Sequence, residues 1–464
     1  MLKTLLVNKN NKIKDTYLNK INLVKTKDID NNDIYLEEET YNSYLKLRNF
    51  LLLKNIEIGI SSAYRSITNQ IDIYRELKEM YGEEYAKLTV ATPGYSEHHT
   101  GLAIDINIKV DGKYPQNNKE LEQQAKYYEN IFKYLKDFGF ILRYPKGKEK
   151  ITGYNYEPWH IRYVGFLPAN LIMNNNLTLE EYLINFSGVI ALNKKSGPTS
   201  HDYVNEISKI FGLKKVGHTG TLDPLAEGVL LITIGKATKI AELLTSNYKE
   251  YIAEVTMGIK TDTYDIEGNI IEKSDILGNI NLNEALEHFK TTYFQEVPIY
   301  SAIKVNGRKL YEYARNNEKV ELPKKEVTIK EIKLLGRTDN KFTFKALVSK
   351  GCYIRSLIND IGKYLNIPMT MSKLIRTQQG NVSIDETYCL DDIKSNKFKL
   401  LSIDECLNYP VIILENNLLF KVVNGAPIDN TWQIKDKVIF KNKNSKILGI
   451  YQVKDKKLIS WKNF

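Results

Sequence analysis

Gly217-His218-Thr219-Gly220-Thr221-Leu222-Asp223-Pro224-Leu225-Ala226-Glu227-Gly228-Val229 is a glycine-rich loop with one aspartate at its centre. Glycines and threonines can hold phosphate, but the Lys-Ser step of a P-loop is absent. An isolated Asp-Pro pair is ordinarily a turn or a helix N-cap. What sets this one apart is its company. Lys194-Lys195-Ser196-Gly197-Pro198-Thr199-Ser200 precedes it. Tyr251, Tyr300-Ser301-Ala302-Ile303-Lys304, Leu310-Tyr311-Glu312-Tyr313-Ala314-Arg315 and Gly351-Cys352-Tyr353-Ile354-Arg355-Ser356-Leu357 follow.

Working outward toward the N-terminus, a second constellation of different chemistry appears. Ser96-Glu97-His98 leads to Asp105, and Glu157-Pro158-Trp159-His160 follows downstream. Two imidazoles and a carboxylate, with a coordination position left open, are what a catalytic zinc needs. Glu157, three residues before His160, is placed to take a proton from a metal-activated water and pass it to a leaving amine. Arg65, in Ser62-Ala63-Tyr64-Arg65-Ser66, supplies a fixed cation for an oxyanion or a carboxylate. A single histidine beside a glycine is usually structural, and His99 is read that way. The chain has six histidines, and two fall on these positions.

Neither constellation explains the other, and 464 residues suit two to three domains. Residues 1–187 hold 25 Lys+Arg against 24 Asp+Glu, a net of +1, so +9 of the total +10 lies in 188–464. A polyanionic partner such as RNA would favour that asymmetry through phosphate neutralisation. A lysine-rich solubilising surface would produce it equally well. Cys352, Cys389 and Cys406 show no paired or zinc-ligand spacing, which predicts free thiols in a reducing compartment. The opening apolar run breaks at Asn8 and Lys9, short of a secretory signal. No apolar stretch is long enough to span a bilayer.

Periodicity predicts helices over Ser43–Lys54, Asn69–Lys87 and Gln123–Phe138. It predicts a strand over Gly101–Lys109 with Leu102, Ile104, Ile106 and Ile108 on one face. Thr178 is a candidate N-cap for a short helix. A boundary falls near Asn185–Gly188, and a new strand starts at Val189. Val411–Leu414, Val438–Phe440 and Ile447–Tyr451 read as short strands of a small β-rich tail.

The first constellation resembles the zinc D-alanyl-D-alanine carboxypeptidases of the VanY type. Ser96, His98, Gly101, Ala103 and Asp105 give their Ser-x-His-x-x-Gly-x-Ala-x-Asp motif. Phe140-Ile141-Leu142-Arg143-Tyr144-Pro145 and Glu157-Pro158-Trp159-His160-Ile161-Arg162-Tyr163-Val164-Gly165 match later stretches. The resemblance implies zinc on His98, Asp105 and His160. It further implies Glu157 as the base, Arg65 polarising the scissile carbonyl, and Ser96 in the substrate pocket. Ala63 stands where that family often has Gly.

The second constellation resembles the tRNA pseudouridine synthases of the TruB type over about 188–400, and the tail is similar to that family's PUA-like RNA-binding appendage. The resemblance implies Asp223 as the essential carboxylate. Whether it attacks the base, attacks the sugar or abstracts a sugar proton stays open. It also implies Arg355 paired with Asp223, Tyr251 stacked on the uracil, Tyr353 and Leu374 lining the pocket, and His218 against the flipped-out nucleotide. Lys195 stands where the family usually has Pro, Val297 replaces a frequent Pro, and Ile375 a common Arg.

The expected protein is therefore α+β throughout. Residues 1–187 form a zinc peptidase-like domain, 188–400 a pseudouridine synthase domain needing no cofactor, and 401–464 a β-rich RNA-binding tail. The expected partners are the T-arm of tRNA, modified at uridine 55, and a D-Ala-D-Ala-containing peptide. The expected compartment is the cytoplasm. Two alternatives remain open: a catalytically silent N-terminal interaction module, and an incidental fusion of neighbouring genes.

Overall fold

A computed structural model describes residues 2–115, 120–121, 125–246, 248–276 and 280–464. The chain divides into two compact units. The first takes in Met1–Phe186 together with Asn205–Lys215 and Lys394–Lys397. The second takes in Ser187–Val204, Val216–Ile393 and Phe398–Phe464. Both mix helices with largely antiparallel sheet, an α+β architecture.

In the first unit a four-stranded antiparallel sheet runs in the order Ile58–Ser62, Ala103–Ile108, His160–Tyr163, Phe140–Leu142. Leu102, Ile104, Ile106 and Ile108 are buried as the alternation predicts. They share a core with Leu47 and Leu51 of helix Glu38–Leu52 and with Tyr128, Ile131 and Leu135 of helix Ala125–Leu135. Each such side chain contributes roughly 1.5–3 kcal/mol by leaving water. Within strand Ala103–Ile108, Asp105 alone is not fully buried.

Helix Glu38–Leu52 starts earlier than periodicity predicts, because the Glu37 carboxylate accepts from the Thr40 N–H and caps it. The helix expected over Asn69–Lys87 is two helices, Ile67–Tyr81 and Glu83–Thr89. Gly82, at φ +89°, breaks it in a region glycine enters without steric cost. Of the helix expected over Gln123–Phe138, Gln123 and Gln124 lie outside the described residues. Ala125–Leu135 is α-helical and Lys136–Phe138 tightens to a 3-10 turn. Thr178 caps helix Leu179–Asn185 through a capping box with Glu181.

The second unit is built on a nine-stranded sheet. Its main path is Thr292–Glu296, Lys324–Arg337, Lys341–Val348, Lys249–Met257, Met369–Gln379, Glu227–Ile234, Gly188–Lys194. Every neighbouring pair on this path is antiparallel except Met369–Gln379 with Glu227–Ile234. That parallel pair registers Arg376 against Gly228, so the loop entering at Glu227 emerges in the middle of the sheet. Gly228 has φ +100°, and a Cβ there would stand 2.2 Å from the Arg376 carbonyl oxygen. The edge strand Gly188–Lys194 is closed from far along the chain, by bridges of Val189 to Leu401 and Leu192 to Tyr388.

The tail forms a five-stranded sheet in the order Val411–Ile413, Lys437–Lys441, Ile447–Lys454, Lys457–Asn463, Ile428–Asp429. One face packs Val438, Phe440, Tyr451 and Leu458 with Leu414 and Val422. The alternate residues Ile439 and Ile450 join Val189, Ala191, Val229 and Leu231 of the larger sheet in one cluster. The tail is thus continuous with the core of the nine-stranded sheet. Among the described residues, no helix is long and apolar enough to cross a membrane.

Candidate active sites

Strand pairing assembles the first site. Asp105 and His160 are direct cross-strand partners, with Ser62 opposite Asp105 on its other side. The 3-10 turn Glu97–Thr100, immediately before strand Ala103–Ile108, brings in His98. His98 Nδ1 lies 2.7 Å from the Ala63 carbonyl, so that nitrogen carries the proton and Nε2 is left as a lone pair. Nε2 faces Asp105 Oδ2 at 3.3 Å, and His160 Nδ1 faces Asp105 Oδ1 at 2.9 Å. One ligand atom from each of the three lies within 4.8 Å of the others.

This donor set fits a zinc ion. Ligands bound at about 2.0–2.1 Å in a tetrahedral site stand about 3.4 Å apart. Asp105 Oδ1 is buried without a hydrogen bond although His160 Nδ1 is beside it, as two acceptors flanking a cation would be. Burial opposes a charged His160, but the Asp105 carboxylate and, behind it, Glu97 and Glu157 outweigh that and push it up to about 10. The carboxylates around it therefore favour a positive charge at this position.

Glu157 is half-buried, with Oε2 3.7 Å from His160 Nδ1. Burial pushes its carboxyl up to about 7, the nearby His160 opposing and Asp105 adding. Arg65 is steered by Gln70 Oε1 at 3.0 Å and Ser62 Oγ at 3.2 Å, and its N–H donates to the His98 carbonyl. Ser96 is buried directly before Glu97. His99 lies outside the ligand set: Nδ1 donates to the Arg65 carbonyl and Nε2 accepts from the Gly94 N–H.

In the second unit, Asp223 sits in the loop leading into strand Glu227–Ile234, its side chain 35% exposed. Arg355, in the first turn of helix Ile354–Leu365 and 4% exposed, places Nε 2.9 Å from Asp223 Oδ2. The Nε–H points off that oxygen, so the contact is one of charge more than an aligned hydrogen bond. Arg355 is anchored by its other nitrogens, Nη1 to the Thr263 carbonyl at 2.9 Å and Nη2 to the Tyr300 carbonyl at 3.0 Å.

Tyr251 and Ala253 pair with Arg376 and Leu374 on the neighbouring strand, which puts Tyr251 and Leu374 on one face of the sheet, both buried. Tyr353 directly precedes helix Ile354–Leu365 and gives its N–H to Gln295 Oε1 at 2.8 Å. Burial raises both tyrosine hydroxyls, and the Asp223 carboxylate adds to it in each. Asp223, Arg355, Tyr251 and Tyr353 thus share one electrostatic neighbourhood. His218, on strand Val216–Thr219, is lowered by burial and by Arg376, and its Nδ1 is buried without a partner.

Residues 208–354 match the model of the TruB family pseudouridylate synthases (N-terminal domain), and residues 33–166 match that of the D-alanyl-D-alanine carboxypeptidases. The tRNA pseudouridine synthase B of Caldanaerobacter subterraneus subsp. tengcongensis is 42% identical over 255 residues, covering 54% of this chain and 90% of that protein. The chain belongs to the TruB family. Ahead of the TruB-type part it carries a VanY-type domain. Among solved structures, the LD-carboxypeptidase LdcB is 35% identical over 38% of this chain and 83% of its own, with a TM-score of 0.32. The Zn(II) complex of a variant of the D,D-pentapeptidase VanY from a VanB-type resistance cassette is 30% identical over 39% and 99%, with a TM-score of 0.33.

Several residues around both sites escaped the sequence reading. In the TruB-type part, buried Lys194 donates to the carbonyls of Lys195, Pro224 and Ala226 and holds the chain just after Asp223. Arg376 grips the same loop from below, through the carbonyls of Val229 and Gly220. Ser200 Oγ bonds both the N–H and the carbonyl of Leu222. Lys195, where the family usually has Pro, uses the N–H a proline lacks to reach Tyr203 Oη at 3.0 Å. In the VanY-type domain, Arg143, Arg162 and Glu97 are fully buried together behind His160. Apart from Arg376, the quoted motifs contain these residues, but charge in a sequence reads as surface until a partner is known.

Proposed function

We propose that the chain is bifunctional, converting uridine 55 in the T-loop of tRNA to pseudouridine and hydrolysing D-alanyl-D-alanine-type peptides with zinc. The observation that carries the first activity is the buried Arg355 guanidinium against the half-exposed carboxylate of Asp223. In this reading the synthase domain is 188–400, the tail 401–464 is an RNA-binding appendage, and the peptidase domain is 1–187. The protein acts in the cytoplasm, where its RNA substrate is.

Isomerisation breaks the N1–C1′ bond of the uridine, turns the uracil and forms a C5–C1′ bond, with a proton leaving C5 and one taken up at N1. It calls for no cofactor. Arg355 holds the Asp223 carboxylate in place for its attack or proton abstraction. Tyr251 stacks on the extruded base and assists removal of the C5 proton. Tyr353 and Leu374 close the pocket and His218 contacts the nucleotide. Stacking offsets the unstacking of the loop base, and the excess positive charge of 188–464 favours the backbone.

In the peptidase domain His98, Asp105 and His160 hold the zinc. When bound, it supplies a Lewis acid and lowers the pKa of a coordinated water toward about 7. Glu157 would take a proton from the attacking water and give it to the leaving amine. Arg65 stabilises the oxyanion from the side, and Ser96 lines the substrate pocket. Glu157 suits the base role better than Glu97, whose side chain is 1% exposed and bound to two arginines.

Assaying the intact protein for both activities tests the proposal. Pseudouridine mapping of treated tRNA should place the product at position 55, and release of D-alanine should stop on zinc chelation while the RNA activity continues. Modification at an anticodon-arm uridine, or chelator-resistant D-alanine release, would overturn the respective half.

A further inference from the structure

The two imidazoles of the candidate metal centre present opposite nitrogens, Nε2 from His98 and Nδ1 from His160. A neutral imidazole can do this only if its other nitrogen carries the proton. For His98 the Ala63 carbonyl sees to that. For His160 the charged group facing Nε2 among the described residues is Glu97 Oε2, at 3.7 Å. Both atoms are buried without a hydrogen-bond partner. An approach of about 0.8 Å would close an ordinary N–H···O bond between them, which fits a donor and acceptor held facing each other.

Glu97 is unusually well fixed for such a task. Its Oε1 accepts from Arg143 Nε at 2.8 Å and lies 2.8 Å from Arg162 Nη1. Arg143 is clamped at its far end by both oxygens of Glu180, at 2.6 and 2.9 Å, and Asn8 donates to the same carboxylate. Arg162 gives its Nη2 to the Lys3 and Leu5 carbonyls. Two arginines against Glu97 and Glu180 leave no uncompensated charge, so the array tolerates complete burial. Its outer members, Lys3, Leu5, Asn8 and Glu180, lie outside the residues 33–166 that match the carboxypeptidase model.

We propose that Glu97 is a positioning residue of the metal centre, holding His160 as the Nε2–H tautomer so that Nδ1 is free to bind metal, with Arg143, Arg162 and Glu180 fixing Glu97 in place. This rests on the reading that His98, Asp105 and His160 hold zinc. Glu97 is not one of the three candidate ligands; it acts through His160. Carboxylates in this relation to a ligand histidine typically change metal affinity 10–100-fold.

The test uses the full-length chain, stripped of metal and titrated with zinc against a chromophoric chelator, followed by the visible spectrum of the cobalt(II)-substituted protein. Glu97→Gln should weaken zinc binding about 10–100-fold and shift the cobalt bands. Glu180→Gln, which loosens Arg143 but leaves Glu97 beside His160, should lower the thermal midpoint with the cobalt bands nearly unmoved. If Glu97→Gln fails to fold, Glu97→Asp decides, because it keeps the charge between the arginines while withdrawing the carboxylate by one methylene. A folded Glu97 variant with wild-type zinc affinity and an unshifted cobalt spectrum would refute the role. Wild-type protein that takes up no zinc would instead refute the zinc reading itself, and that binding is measured first.

Discussion

Replacing Arg355 with methionine removes the counter-charge of Asp223 while keeping most of the side chain's bulk. Coulomb's law at 2.9 Å with an effective dielectric of about 20 gives about 6 kcal/mol for the pair. The Asp223 side chain is 35% exposed, and solvent screening reduces that to about 3 kcal/mol. If this stabilisation acts in the transition state, its loss slows the reaction about 100-fold. Methionine also leaves the Thr263 and Tyr300 carbonyls without their donors, at about 1–3 kcal/mol each. Those terms appear as a lowered unfolding midpoint. Single-turnover pseudouridine formation on an unmodified tRNA transcript, at a temperature where circular dichroism shows the variant folded, separates rate from stability. Arg355→Lys keeps the charge and should recover part of the rate. A folded Arg355→Met protein working within about threefold of wild type would refute the argument.

Asp223→Asn should abolish pseudouridine formation while tRNA affinity, measured by filter binding, stays within about threefold, because binding draws on the basic surface and stacking; residual turnover near wild type would rule out the carboxylate's role. Glu157→Gln should keep one zinc per chain by metal analysis and lose D-alanine release, and retained release would remove Glu157 as the base. Gly228→Ala should cost about 2–4 kcal/mol in urea denaturation, because its φ of +100° is strained for alanine and the new methyl meets the Arg376 carbonyl. An unchanged midpoint would show that the loop can move away.

The residues proposed to carry chemistry could be singled out because their types and spacing are constrained together: His98 and Asp105 within one turn-and-strand segment, His160 at the start of the pairing strand. What holds them was not. Arg143, Arg162, Lys194 and Arg376 are all completely buried, and each bonds to partners far away in sequence. A charged residue has no periodicity that announces such a partner. Helix ends were misplaced where a single contact decides them, as at Glu37, or where a glycine interrupts an otherwise helical stretch, as at Gly82. The tail's strands were partly visible as apolar runs, but Lys457–Asn463 alternates too weakly to read, and the union of Ile439 and Ile450 with Val189 is tertiary information alone.

The closing of strand Gly188–Lys194 by Leu401 and Tyr388 has a consequence for how the protein is made. The strand leaves the ribosome about two hundred residues ahead of the segment that covers its edge. At about 5–20 residues per second that is an exposure of about 10–40 s. Through that interval Val189, Ile190, Ala191 and Leu192 form an apolar run with an open edge, the kind of sequence that pairs with a neighbouring nascent chain. Polysomes are where this chain is most vulnerable, and aggregates formed during synthesis should be enriched in products ending before residue 388.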